Sequence, residues 1–73
     1  MMTFGEKACG VSFNPDGDKL VAMIKDKFAD IVDEMHALRE TTKNAEMKRM
    51  YSIAITEAQT AQMWAVKAIT WKF

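Results

Sequence analysis

The sequence is poor in the residues that usually staple a short chain. Cys9 is its only cysteine, so no disulfide can close within it. A structural zinc site takes about four Cys or His ligands, and Cys9 and His36 are the only two present. Turn-making residues are also scarce: Gly5, Gly10, Pro15 and Gly17 are the full complement, all near the N-terminus. No apolar run approaches the roughly 20 residues of a membrane-spanning helix. Residues 1–13 lack the basic and apolar regions of a signal peptide. Excess charge is missing too, because ten basic residues balance ten acidic ones. A binder of DNA or RNA polymers normally carries a basic face, since phosphate neutralisation supplies most of its affinity; none stands out here. The lone thiol fits a reducing, cytosolic setting.

What the chain has in quantity is apolar side chains, 49% of its 73 residues, among them seven methionines and two tryptophans. A single core in so short a chain supplies roughly 3–5 kcal/mol of net stability. With disulfides and zinc excluded, self-association is the remaining route. Three segments are visible. Residues 1–17 form an arm with no helical period, and Asp16 or Asp18 is placed to cap a helix that starts just beyond it. A first helix is expected over 18–40, where Val21, Ile24, Phe28, Ile31, Met35 and Leu38 make a seam at spacings of three and four. Lys25 lies among the mostly solvent-facing residues between them. Thr41, Thr42 and Asn44 break the pattern and offer caps for a second helix over 44–71. Its ridge of Ala54, Ala58, Ala61, Ala65 and Ala68 permits a close helix approach. Ile53, Ile55, Met63, Trp64, Val66, Ile69 and Trp71 point in other directions. A helix apolar nearly all round must be buried nearly all round. The expected fold is therefore all-α: one domain over 1–73, an antiparallel two-helix hairpin with an extended N-terminal arm, assembled into a homo-oligomeric helical bundle.

Catalytic chemistry finds little support. His36 lies among acidic neighbours and reads as solvated; Cys9 has no base placed beside it. Asp30, Asp33 and Glu34 read as an acidic surface. There is no metal-ligand spacing, phosphate-binding glycine motif or triad, and no cofactor is called for. A binding role is easier to build. Phe13 sits where a ring can stack on a base or pack in a core. Lys25 flanks Ile24 and faces either a groove or solvent. Thr56, Gln59 and Thr60 interrupt an apolar surface, as functional or as ordinary helix-surface groups.

The second-helix run Ile53-Ala54-Ile55-Thr56-Glu57-Ala58-Gln59-Thr60-Ala61-Gln62-Met63-Trp64-Ala65-Val66-Lys67-Ala68 resembles the terminal helix of the phage anti-CBASS sponges. Phe13-Asn14-Pro15-Asp16-Gly17-Asp18, with Val21-Ala22-Met23-Ile24-Lys25 after it, is similar to the same family. The resemblance implies a hexameric bundle in the host cytoplasm that captures cyclic dinucleotides between protomers without cleaving them, with separate trinucleotide sites in some members. It implies an aromatic ring stacking on a base, here Phe13, and a lysine meeting a phosphate, here Lys25. The basic position of the trinucleotide site falls on Ile55, which leaves Thr56 and Thr60 as its polar candidates. With Asn14 in the turn, the candidate ligand-binding set is Phe13, Asn14, Lys25, Thr56 and Thr60. The alternative is a structural homo-oligomerisation module whose grooves bind another protein.

Overall fold

The computed structural model describes residues 1–72 and contains three helices: α1 (Phe4–Cys9), α2 (Lys19–Thr41) and α3 (Ala45–Ile69). The two long helices start where short polar side chains can satisfy orphan N–H groups. Asp18 accepts from the N–H groups of Leu20 and Val21, and Asn44 accepts from that of Met47. Thr42, Lys43 and Asn44 separate the two helices, so they fold back on each other as the expected hairpin.

The arm departs from expectation. It is not extended, since residues 4–9 are helical and folded against the hairpin. The signal is a capping box: Thr3 accepts from the Glu6 N–H, while the Glu6 carboxylate accepts from the Thr3 N–H. Gly10 then ends the helix in the left-handed conformation, φ 60°, and its N–H returns to Lys7 and Glu6 carbonyls. A helix of six residues is too short to show an apolar period, which is why periodicity does not reveal it.

α1 docks because both partners are small at the crossing. The Gly5 N–H donates to Asp33 at 2.6 Å, and a Cβ on Gly5 would lie 2.1 Å from the Ala29 carbonyl oxygen. Beside this contact the Phe4 ring stacks on His36, with centroids 4.1 Å apart and planes 5° from parallel. The Arg39 guanidinium lies 5.5 Å from the same Phe4 ring. His36, expected to be solvated, is thus half-buried in the α1–α2 contact.

The core is where all three helices meet. Cys9 of α1, Ala29 and Val32 of α2 and Ile55 of α3 are buried together, with Val11, Phe28, Met35 and Ala58 packed around them. The buried stripe of α2 is therefore Val21, Lys25, Ala29 and Val32, rotated from the expected seam. Ile31 and Leu38 of that seam are exposed. The rotation comes from α1, which occupies a face that a two-helix hairpin would leave empty. Of the alanine ridge, Ala58 packs on the core while Ala61 and Ala68 are exposed.

The molecule measures 45 × 28 × 13 Å between Cα extremes. Its thinnest dimension is about one helix diameter, so its broad faces are covered by nothing in the chain itself. Leu20, Met23, Ile31 and Leu38 of α2 and Met63 and Trp64 of α3 all remain exposed. No helix among the described residues is long and apolar enough to cross a membrane.

Candidate functional site

The turn from α1 into α2 carries the chain past a basic side chain of α2. Gly10 sends the backbone back over that helix, and the Phe13 N–H closes the bend by donating to the Gly10 carbonyl at 2.9 Å. Two carbonyls of this bend then face Lys25. Its Nζ donates to the Gly10 oxygen at 3.0 Å and makes a second, short hydrogen bond to the Phe13 oxygen. Lys25 is only 6% exposed, a correction to its reading as a solvent-facing residue. Its stem fills the stripe between Val21 and Ala29, and its charge is held by neutral oxygens. Among the described residues Lys25 forms no ion pair. An ammonium has three donors, so one remains beyond the two carbonyls.

The Phe13 ring is 73% exposed and lies 5.5 Å from the Lys25 nitrogen. Ring and cation share a cleft of about 580 Å³ between α1, its turn and α3. That size is in the usual range for small-ligand sites, about 300–1,000 Å³. α1 contributes Lys7, Ala8 and Cys9, and α3 contributes Thr56, Gln59, Thr60, Gln62, Met63 and Val66. Gln59 ties the two walls, its amide donating to the Ala8 carbonyl at 3.2 Å.

Of the expected site residues, Phe13, Lys25, Thr56 and Thr60 line this one cleft. The two threonine hydroxyls donate back along the helix, to Ser52 and Thr56 carbonyls at 3.1 Å, which leaves each oxygen able to accept. Asn14 does not line this cleft but meets Phe13 and Lys25 in an adjoining one. That smaller recess, about 280 Å³, shares Phe13, Lys25 and Val66 with the cleft and adds Pro15, Asp16 and Asp18 to its walls. Both ends of the Asn14 amide are used in the turn, donating to the Asp18 carbonyl at 2.9 Å and accepting from the Asp18 N–H at 3.2 Å.

Cys9 lies on the wall of the cleft but is buried. Burial pushes its thiol above the usual thiol range, the Asp33 carboxylate adds to this, and Lys25 pulls the other way. The folded chain thus holds the thiol proton more tightly than the unfolded chain. The resulting stability is complete below the ordinary thiol pKa and fades as pH rises through the raised one. Iodoacetamide at pH 8 is accordingly expected to alkylate the native protein far more slowly than the same chain in concentrated urea. Equal rates would show the thiol to be open. Among the described residues no cluster of His, Cys, Asp and Glu is arranged to hold a metal.

A family model described as Acb2/Tad1, hairpin domain, matches residues 7–70. The chain belongs to this family of anti-CBASS sponges. The Acb2/Tad1 hairpin match begins inside α1 and closes just beyond α3, so every residue lining the cleft falls within it. No curated protein and no solved structure matches the chain.

Gln62 is not among the residues singled out from the sequence, although it lines the cleft and is only 5% exposed. Its signal is a register: Gln62 stands one heptad after the core residue Ile55, where an apolar side chain is due.

Proposed function

We propose that this Acb2/Tad1 hairpin protein binds intact cyclic dinucleotides and withholds them from bacterial immune effectors, acting in the host cytoplasm and cleaving nothing. The observation that carries this reading is Lys25, a buried cation without an acidic partner beside an exposed aromatic ring at the same cleft. A phosphodiester supplies the missing negative charge, and the base attached to it reaches the Phe13 ring. Stacking on an aromatic side chain is worth about 1–3 kcal/mol per base. Charge-assisted phosphate contacts are the stronger class of hydrogen bond.

The site is completed by copies of the chain. The cleft is open, and the apolar residues left exposed on a body 13 Å thick need cover. A closed homo-oligomer, a hexamer by family resemblance, covers them and repeats each contact by symmetry. Two symmetric sets of contacts can approach about −12 kcal/mol, the binding free energy of a nanomolar complex, which sequestration requires. Ile55 stands at the basic position of the trinucleotide site and is core in this chain, so dinucleotides are the favoured ligand class.

Native mass spectrometry with a panel of cyclic di- and trinucleotides tests the reading. The expected result is a discrete oligomer retaining intact ligand at a fixed ratio below one per chain. An oligomer that retains nothing would favour a structural module that binds another protein. Appearance of linear nucleotides would favour a hydrolase.

A further inference from the structure

Gln62 occupies a core register of α3 with a side chain ill-suited to a core. It comes one heptad after Ile55 on the face turned to α2, and it is 5% exposed. Among the described residues its amide makes no hydrogen bond, whereas Gln59, one turn earlier, is engaged by the Ala8 carbonyl. Among the described residues no buried side-chain nitrogen or oxygen is sealed off without a partner, so the Gln62 amide keeps a small solvent contact. Gln62 is one of the residues lining the cleft of Phe13 and Lys25. An amide with so little solvent and no protein partner is poorly compensated for its burial, and a leucine of similar volume fits this register better. The fold therefore gives no reason for glutamine here, whereas a ligand in the cleft does.

We propose that Gln62 reads the edge of the base that stacks on Phe13 and that it selects adenine. This rests on the cyclic-dinucleotide reading above and adds a specificity-determining residue to it. A carboxamide presents one acceptor and one donor group side by side. Adenine offers the complement, the N6 amino group as donor and N7 as acceptor, and glutamine pairs with both at once. Guanine shows two acceptors on the corresponding edge, O6 and N7, so the amide oxygen finds no donor there. Lys25 holds the phosphate and Phe13 the face of the base; neither distinguishes one purine from the other. The selecting group has to approach the edge, and on the α3 wall Gln62 is the buried polar side chain free to do so.

The test is isothermal titration of cyclic di-AMP, its 7-deazaadenine analogue and cyclic di-GMP into the assembled wild-type protein and its Gln62→Leu variant. The wild type should bind cyclic di-AMP at least about tenfold more tightly than either comparator, since a good bidentate pair gives about that discrimination or more. Gln62→Leu should level the three affinities at the weaker value. The same variant should melt at a higher temperature than the wild type, because the unpartnered amide is gone. That opposite movement separates a ligand-reading residue from a structural one, whose loss would lower both. Gln62→Met serves as a second apolar variant should leucine disturb packing. A wild type that binds none of the three overturns both this inference and the function on which it rests. Retained selectivity in Gln62→Leu, or wild-type affinities that are equal, overturns the inference alone.

Discussion

Lys25→Met is expected to weaken cyclic-dinucleotide binding by about a hundredfold or more while leaving a folded, assembled protein. A hydrogen bond to a charged group contributes about 1.5–3 kcal/mol, and the symmetric pocket proposed above would make the contact twice. The sum, about 3–6 kcal/mol, corresponds to more than about a hundredfold in affinity. Methionine keeps the unbranched stem that lies between Val21 and Ala29, so the packing of α2 survives. What it leaves behind is a pair of carbonyls, Gly10 and Phe13, that water can reach from the open cleft. Lys25→Arg is the informative control. Its planar fork keeps the charge but does not reproduce the ammonium's contacts with two carbonyls, so binding should fall between the two. Titration calorimetry gives the affinities and native mass spectrometry the assembly. Wild-type affinity in the methionine variant would remove Lys25 from the pocket.

Gly5→Val should undock α1. Even the first carbon of a side chain there would sit 2.1 Å from the Ala29 oxygen and 2.8 Å from the Asp33 carboxylate. Backbone oxygen cannot step aside, so α1 must. The Gly5–Asp33 hydrogen bond and the Phe4–His36 stack are lost with it, and Cys9 leaves the core. Overpacking a tight contact costs about 1–3 kcal/mol, occasionally more, against the roughly 3–5 kcal/mol that a core of this size supplies. Hydrogen exchange should show protection lost over residues 4–9 and much weakened in the middle of α2. Nucleotide binding should fail too, since α1 and its turn form one wall of the cleft. Gly10→Ala is the contrast: a Cβ at Gly10 meets nothing within 4 Å, and only its left-handed φ of 60° is strained. That costs about 1–2 kcal/mol and should leave α1 docked. Protection over 4–9 unchanged in Gly5→Val would show that the close approach is not what holds α1.

The long elements are legible in the sequence because their signals are periodic. The helix expected over 18–40 lies at Lys19–Thr41 and that over 44–71 at Ala45–Ile69, with Asp18 and Asn44 as caps. α1 is not legible as a period, but its Thr3 and Glu6 are a readable capping box. Leaving α1 out displaces the rest: a hairpin of two helices puts the seam through Ile31 and Leu38 and Lys25 in solvent. Burial of a lysine is not a pattern that hydrophobic spacing can reveal. It depends on where the Gly10 and Phe13 carbonyls arrive, which is set by a left-handed glycine fifteen residues earlier. Phe13 and Lys25 are raised as candidates by their places in the turn and first helix, and only the family motifs give them roles. Asn14 is grouped with them because it is adjacent in sequence, whereas its amide is consumed by the Asp18 turn.

The lock on Lys25 bears on speed. A lysine free in solvent samples many rotamers, and fixing it on a ligand forfeits about 2 kcal/mol of side-chain entropy. In this chain two carbonyls have already stopped that motion before any nucleotide arrives. On the proposed function, a phosphate would therefore meet a stationary charge, and fewer encounters would end in escape. For the proposed sponge, racing an immune receptor to each newly made signal molecule, the fraction of collisions that succeed would count as much as how long the captive stays.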